Sequence, residues 1–362
     1  MGKEWLRLKY PLVEIHLDRL RENAEYIVKL AQKYGVQIWG VTKVTCGHPD
    51  VARTLLDAGI KAISDSRIEN IQRMRKAGVD TYYTLIRIPM ISEAETVVQC
   101  ANCSLNSELD VLKALNEAAG KYNTVHDVIL MVDLGDLREG IWPSDLMDIV
   151  GETLKLNNLR LKGLGTNLTC WGGVLPTEEN LGQLVELAKS VEDQYQIQLE
   201  IISGGNSSSL PLLREGKMPH GINQLRIGEV IMLGNDTVSH KPFPNTRQDT
   251  FILKAEIIEL KEKPSHPIGK IGLDAFGKPP FFEDKGIRLR AILGIGKQDV
   301  AADGLKPLDP GIEVVGGSSD HIILDLTEAE GSYKVGDIVD FTVGYECLLK
   351  AMTSPYVEKV VV

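Results

Sequence analysis

The sequence predicts a (β/α)8 barrel of eight parallel strands and eight helices in residues 1–240, followed by a domain of β-strands in residues 241–362. Three observations predict this architecture. Short β-branched runs alternate with helical stretches from residue 39 to about residue 230, as in proteins whose helices surround a parallel sheet. Eight such units fit into roughly 200 residues, and eight is the number that closes a barrel. After Asn235 the helical spacing stops and apolar residues alternate with polar ones.

Each predicted barrel strand is a short apolar run bounded by turn residues. The eight runs are residues 39–43, 62–65, 82–88, 103–105, 128–134, 161–167, 199–204 and 224–230. Helix starts are predicted where a serine precedes a helical run, because its hydroxyl can cap the first turn. These serines are Ser66, Ser92, Ser107 and Ser144.

An additional strand is predicted at residues 13–16, before the first helix. The barrel does not need this strand, so we expect it to pair with the second domain. That domain contains the alternating runs FILKAEIIELKE, GIRLRAILGIG, IEVVGG, HIILDL and DIVDFTVG. We therefore expect an all-β second domain, with the boundary in the proline-bearing segment 239–249.

Charge and composition exclude several classes of function. The chain carries 40 Lys+Arg against 50 Asp+Glu, a net charge of -10, so no basic field exists for nucleic acid or an anionic membrane. The start lacks a signal-peptide core, and no run approaches the roughly 20 apolar residues that span a bilayer.

Five cysteines, an odd number, favour reduced thiols over disulfides. We expect a cytoplasmic protein without a metal site, since Cys100-x-x-Cys103 has no second pair.

The predicted strand ends indicate where chemistry would occur, because barrels of this class carry reactive residues there. The first strand ends at Lys43, whose amine either extends to solvent or forms a Schiff base. After the seventh strand, Gly204, Gly205 and the serines 207–209 offer N–H groups and hydroxyls to an anion. A serine cap on a glycine-rich turn is the alternative, but Gly228 after the eighth strand can add another N–H. A lysine opposite a phosphate site indicates a phosphorylated aldehyde cofactor.

Seven segments between residues 40 and 357 carry a family resemblance: GVTKVTCGH, GTNLTCWGGVLPTEENL, SGGNSSSL, LRIGEVIMLGNDT, GIGKQDV, SSDHIILD and GYECLLKAMTSPYV. Together they resemble the alanine racemase family of fold type III pyridoxal-phosphate enzymes, and most closely its ornithine racemase branch. The resemblance implies pyridoxal 5'-phosphate as cofactor, an N-terminal barrel and a C-terminal β domain. It also implies a head-to-tail homodimer whose active site uses both chains.

The resemblance implies roles for individual residues. Lys43 matches the lysine that binds the cofactor and moves the α-proton on one face of the substrate. Arg226 resembles the arginine that faces the pyridine nitrogen, and its positive charge would keep that nitrogen unprotonated. A pyridine ring with an unprotonated nitrogen withdraws electrons less strongly. The carbanion at the substrate Cα is then short-lived, which favours its simple reprotonation. Arg138 takes the place of the arginine near the substrate carboxylate, with a surface ion pair to Asp136 or Glu139 as the alternative.

The remaining cofactor contacts follow from the same resemblance. Ser207, Ser208 and Gly228 match the phosphate-binding turn, in which any of the three serines 207–209 could make the contact. Tyr345 resembles a tyrosine whose hydroxyl reaches the phosphate. Asn167 stands where alanine racemases usually have a histidine against the cofactor ring.

Two departures from the family pattern concern the chemistry. The segment KVTCGH is one residue shorter than its family counterpart and has Cys46 near the place of a phosphate-binding tyrosine. The family's second base is a tyrosine donated by the partner subunit, and Lys297 of GIGKQDV falls in its place. A racemase needs a proton carrier on each face, so Lys297 is the candidate, with a solvated turn lysine as the alternative. Three other residues could serve as the second base: Asp299, Asp320 and His321. His321 is included because histidine ordinarily titrates near neutrality.

The predicted function is racemisation of a basic amino acid, ornithine first and lysine next. The alternatives are a broad-specificity or alanine racemase, a fold type III decarboxylase, a non-catalytic pyridoxal-phosphate carrier, and a cofactor-free Schiff-base aldolase. A cationic substrate side chain needs an acid, and the sequence leaves four open: Asp136, Glu229, Asp236 and Asp320. Asp320 and His321 are assigned to substrate binding together with Arg138.

Overall fold

The computed structural model describes residues 9–273, 276, 277, 279 and 281–362. The chain divides into two compact units, residues 18–247 and a second unit that joins the chain up to Leu17 to residues 248–362. The first strand, β1 (Leu12–Ile15), belongs to the second unit. Within the described residues, no helix is both long enough and apolar enough to cross a membrane.

The first unit is a closed barrel of eight parallel strands, which confirms the predicted fold class. The strands, in the order in which they close, are β2 (Gln37–Val41), β3 (Ala62–Asp65), β4 (Tyr83–Leu85), β5 (Cys103–Asn106), β6 (His126–Met131), β7 (Leu159–Gly165), β8 (Ile201–Ser203) and β9 (Gln224–Ile227). The helices of this part of the chain are α1 (Leu17–Gln32), α2 (Pro49–Asp57), α3 (Ile68–Lys76), α4 (Ala94–Cys100), α5 (Leu109–Lys121), α6 (Leu146–Thr153), α7 (Glu178–Tyr195), α8 (Leu210–Arg214) and α9 (Glu229–Leu233).

The strands bury side chains on both faces, which explains their nearly continuous apolar sequence. One cluster contains Trp39, Leu105, Met131 and other residues that alternate along the strands. A second cluster packs β6 and β7 against the neighbouring helices, with Leu130, Leu164 and residues of α5 to α7. The two layers hold the strand ends in place and so position the residues that follow them.

One predicted strand end near the site and all four predicted serine caps were wrong. Strand β2 ends at Val41, and Lys43 begins a short 3-10 turn, Lys43–Thr45. Ser66 does not cap α3, because the carboxylate of Asp65 accepts the N–H of Arg67 at 3.0 Å. The other three predicted serine caps are likewise absent: residues 93, 108 and 145 precede α4, α5 and α6 without a side-chain cap. The structure shows a capping box in α7 instead, at Thr177.

The second unit is a mostly antiparallel sheet. Its further strands are β10 (Phe251–Pro264), β11 (Ile287–Leu293), β12 (Leu305–Pro307), β13 (Glu313–Gly317), β14 (Ile322–Asp325), β15 (Ile338–Val343) and β16 (Glu358–Val361). The main path runs β12-β15-β10-β11-β14-β13. Strand β1 pairs antiparallel with β10, with Leu12 opposite Lys254, and parallel with β16.

The expectation of an all-β second domain was wrong in one element. A helix, α10 (Tyr345–Thr353), follows β15. It buries Cys347, Leu348, Ala351 and Met352, a spacing that places these four side chains on one helical face. That apolar face explains why the segment is helical although it lies between two strands.

Burial of His126 predicts that acid destabilises the barrel. His126 is 1% exposed, and its Nε2 lies 2.9 Å from the Ser104 hydroxyl. Burial lowers the pKa of His126 to about 4 from an ordinary value of 6.5, although the charge of Asp127 opposes the shift. The unfolded chain therefore binds this proton more readily, and stability falls as the pH drops from 6.5 to 4. We expect this group to remove about 3 kcal/mol of unfolding free energy over that range.

Urea denaturation at several pH values tests this expectation. His126→Gln should flatten the decline of unfolding free energy between pH 6.5 and pH 4, whatever its effect on stability at neutral pH. His220→Gln, which alters an exposed histidine of the same unit, should leave the slope unchanged. An equally steep decline in the His126 variant would show that other groups cause the acid sensitivity.

Candidate active site

The turn that presents Lys43 is held from two sides. Strand β2 pairs with β3 on one side and with β9 on the other. The Thr42 hydroxyl donates to Asp65 Oδ2 at 2.7 Å, and the Thr45 hydroxyl donates to the Thr42 carbonyl at 2.9 Å. Gly47 closes the turn with φ +61°, where a Cβ would lie 2.8 Å from Asn70. The half-buried Lys43 is thus presented by a tightly bonded backbone.

Asp65 is a buried acid beside this turn that the sequence interpretation missed. Its Oδ1 accepts from Asn70 Nδ2 at 2.9 Å as well as from the Arg67 N–H. Burial raises the pKa of Asp65 to about 6, while the bonds from Asn70 and Thr42 and the charge of Lys43 oppose the rise. Its position as the last residue of a predicted strand was the available signal, since such residues face the reactive end of a barrel.

Arg226 lies almost entirely inside the barrel, at 4% exposure. Its Nη2 donates to the Thr166 carbonyl at 2.7 Å and its Nη1 donates to the Ser203 hydroxyl. Burial lowers the pKa of Arg226 to about 10, and the charge of Glu139 is the largest effect in the opposite direction. The guanidinium is therefore still charged at neutral pH. Neutral acceptors orient it, and none of the described carboxylates lies within bonding distance of it.

The turn after β8 has the features of an anion site. The Ser208 hydroxyl is buried and has no hydrogen-bond partner among the described residues, whereas the Ser208 N–H donates to Asn206 Oδ1 at 2.8 Å. The Ser209 hydroxyl already donates a hydrogen bond to the Gly204 carbonyl, at 2.7 Å. Gly205 has φ +104°, a backbone conformation that favours glycine. Of these two serines, Ser208 has the free hydroxyl; Ser207 is also buried.

Two more predicted residues lie at neighbouring strand ends. Asn167 Oδ1 accepts from Asn206 Nδ2 at 3.0 Å, while its own Nδ2 is buried without a partner among the described residues. A Cβ on Gly228 would lie 3.1 Å from the Cβ of Val41, the last residue of β2. The structure thus connects Asn167 to the serine turn and places Gly228 beside the strand that leads to Lys43.

Arg138 is exposed, and its guanidinium makes a two-pronged ion pair with Glu139 through Nε and Nη2. This bond raises the pKa of Arg138.

The alternative partner, Asp136, is 1% exposed and accepts three backbone N–H groups: Thr169 at 3.0 Å, Trp171 at 3.0 Å and Val174 at 3.2 Å. An ion pair of Arg138 with Asp136 was therefore a wrong alternative. Asp136 holds the loop after β7.

The predicted residues of the second unit meet in one pair of turns. Lys297 is half-buried, with its ammonium 4.6 Å from the ring centre of Phe276. Its N–H donates to the Ser318 carbonyl at 2.9 Å. Asp320 accepts from Gln298 Nε2 at 2.6 Å, and His321 Nδ1 lies 3.5 Å from the Ser318 hydroxyl.

The other two predicted residues of this unit are Asp299 and Tyr345. Asp299, one of the three other candidates for the second base, is buried and accepts from the Ser354 hydroxyl at 2.6 Å. Tyr345 is the first residue of α10 and is half-buried.

Comparisons with known proteins agree with this architecture. The family model of the alanine racemase N-terminal domain matches residues 15–236. The ornithine racemase of Acetoanaerobium sticklandii is 47% identical over 351 residues, 97% of this chain and 99% of that protein. The lysine racemase of Thermotoga maritima is 45% identical over 351 residues, 97% and 98% of the two chains. The structure of an alanine racemase from a D-cycloserine-producing Streptomyces lavendulae has a TM-score of 0.76 at 16% identity, with 98% of each chain covered.

The barrel, the β domain and these relatives together define an amino-acid racemase. The chain belongs to the alanine racemase family, which confirms the resemblance read from its segments.

Proposed function

We propose that this racemase interconverts L- and D-ornithine, accepts lysine as a second substrate, and uses pyridoxal 5'-phosphate. The observation that carries the substrate proposal is the 47% identity to an ornithine racemase along 97% of the chain. The 45% identity to a lysine racemase over the same length supports lysine as the second substrate.

The residues at the barrel strand ends fit the proposed cofactor. Its phosphate needs hydrogen-bond donors, and the buried Ser208 hydroxyl has no other partner among the described residues. Its aldehyde needs an amine, which Lys43 offers. Its ring nitrogen needs a neighbour that sets its protonation, and Arg226 is a buried cation. When bound, the cofactor withdraws electrons from the substrate Cα and so makes its proton acidic.

The protein's own groups would orient the substrate and move its proton. Lys43 is the base on one face, and the bonded turn from Thr42 to Gly47 limits the positions that its amine can adopt. Arg138 would bind the substrate carboxylate, exchanging part of its bond with Glu139 for the new anion. With a pKa of about 10, Arg226 is still charged at neutral pH, and this positive charge would keep the ring nitrogen unprotonated.

The opposite face needs a second base, and Lys297 is our proposal for it. In this scheme two chains form a homodimer and each supplies Lys297 to its partner's site. Asp320 and His321 lie in the same pair of turns and would contact the substrate, and Tyr345 would contact the phosphate.

Incubation with L-ornithine and pyridoxal 5'-phosphate in heavy water tests the proposed reaction. Chiral chromatography with mass detection should show D-ornithine that carries deuterium at Cα. Deuterium in L-ornithine alone would mean that one face exchanges and racemisation of this substrate fails. No exchange in protein that holds the cofactor would contradict ornithine as the substrate.

Removal of the Ser208 hydroxyl should weaken cofactor binding. A hydrogen bond to a charged group contributes roughly 1.5–3 kcal/mol, so Ser208→Ala should raise the Kd for pyridoxal 5'-phosphate about 10- to 100-fold. Equilibrium titration of the apo-protein by absorbance gives the Kd.

Ser209→Ala is the matched control, because its hydroxyl bonds the Gly204 carbonyl. It should lower thermal stability and leave cofactor affinity within about twofold. Equal weakening in both variants would remove Ser208 from the phosphate site.

A further inference from the structure

The four acids that could bind the cationic end of a substrate differ in their hydrogen bonds. Asp136 is occupied by three backbone N–H groups. Asp236 accepts from the Val238 N–H and the Ser239 hydroxyl, each at 2.9 Å. Asp320 is exposed and accepts from Gln298. Three of the four carboxylates therefore already have hydrogen-bond donors.

Glu229 differs from the other three in its bonding. It is half-buried, and within the described ranges its carboxylate has no hydrogen bond and no ion pair inside 4 Å. Burial raises the pKa of Glu229, and the charges of His240 and Lys43 oppose that rise. A half-buried carboxylate has lost part of its water without gaining a donor from the described residues, so an ammonium group beside it would be stabilised.

The position of Glu229 relative to Lys43 follows from the strand pairing. Strands β2 and β9 are parallel neighbours, with Gly40 opposite Ile227. Glu229 comes two residues after Ile227, and Lys43 comes three residues after Gly40. Both residues thus leave the same edge of the barrel from adjacent strands. Neighbouring strands of a sheet lie about 4.8 Å apart, and the two nitrogens of an extended ornithine are about 6 Å apart from standard bond lengths. One substrate molecule can therefore reach from one strand end to the next.

We propose that Glu229 binds the distal ammonium group of a diamino acid and thereby selects basic over neutral substrates. This inference rests on the proposed function, in which the α-amino group of the substrate reacts at the cofactor held by Lys43. Glu229 would be a substrate-binding residue that takes no part in proton transfer.

The first test compares ornithine with norleucine, in which a methyl group replaces the distal ammonium. Glu229→Gln should lower kcat/KM for ornithine about 10- to 100-fold through the loss of a charged hydrogen bond. It should change kcat/KM for norleucine by less than about threefold. Glu215→Gln, which alters an exposed acid of the same unit, should affect neither substrate. An equal loss on both substrates would overturn the assignment, because it would show an effect on Lys43 or on folding.

A binding measurement keeps the test valid if ornithine is not racemised. Calorimetry with the cofactor-loaded protein should show that 1,4-diaminobutane binds at least about tenfold more tightly than 1-aminobutane. Glu229→Gln should abolish this preference. A wild-type protein without the preference would refute the role of Glu229, whereas a preference without racemisation would refute only the proposed reaction.

Discussion

Lys43→Ala should produce a colourless protein that does not racemise ornithine. The variant loses both the amine that would hold pyridoxal 5'-phosphate and the base for one face, so activity should fall by about 1,000-fold or more. Absorbance of the purified protein and borohydride trapping followed by peptide mass mapping would measure the two losses. The Thr42–Asp65 bond involves the neighbouring side chain, so the fold should persist.

Lys61→Ala is the matched control for this variant. Lys61 is exposed and immediately precedes β3 in the same unit, so its removal should change neither colour nor activity. A yellow Lys43 variant that borohydride still reduces to a covalent adduct would assign the reactive amine to another lysine.

Lys297→Ala should retain the cofactor and lose turnover. A positioned proton carrier contributes roughly 100- to 10,000-fold, and we expect a loss within that range. The backbone of Lys297 is bonded to Ser318 and its ammonium lies over the ring of Phe276, which fixes the side chain better than a solvated lysine. Lys306→Ala, an exposed lysine of the same unit, should behave as wild type. Near-normal racemisation in the Lys297 variant would move the second base to another residue.

Mixing the two inactive variants tests whether a site draws on two chains. If Lys43 and Lys297 come from different subunits, a mixed dimer of Lys43→Ala and Lys297→Ala chains contains one site with both lysines. Partial recovery of activity is therefore expected after subunit exchange. Exchange confirmed by mass spectrometry without any recovery would contradict a shared site.

The predictable part of the fold rests on patterns that are local in sequence. Eight apolar runs with intervening helices predicted the barrel, and all eight strands overlap the runs. Limits of elements were less predictable. Lys43 continues an apolar run in sequence, yet the strand stops at Val41 and the Thr42 hydroxyl bonds Asp65 of the next strand. The partner is 23 residues away, and nothing local to Lys43 reveals it.

The candidate site shows the same division. Lys43, Ser208 and Arg226 could be selected from the sequence, because strand ends and a glycine-serine turn are recognisable there. Their roles remain predictions for the experiments above. Asp65 was missed, since a carboxylate at a strand end is informative only when its burial is known. The choice of Glu229 among four acids also needed the hydrogen bonds that the other three make.

The sequence by itself determined the class of this protein: an eight-stranded barrel, a β domain and membership of the alanine racemase family. Periodic burial of apolar residues and the order of short motifs are properties of the chain alone. Only the tertiary structure decided that Arg138 pairs with Glu139, that Asp136 holds a loop, and that Glu229 has no hydrogen-bond partner among the residues that the structure describes. The physical reason is that the hydrogen-bond partners of a side chain depend on which strand ends and loops are brought together. Those contacts form between residues that are distant in sequence.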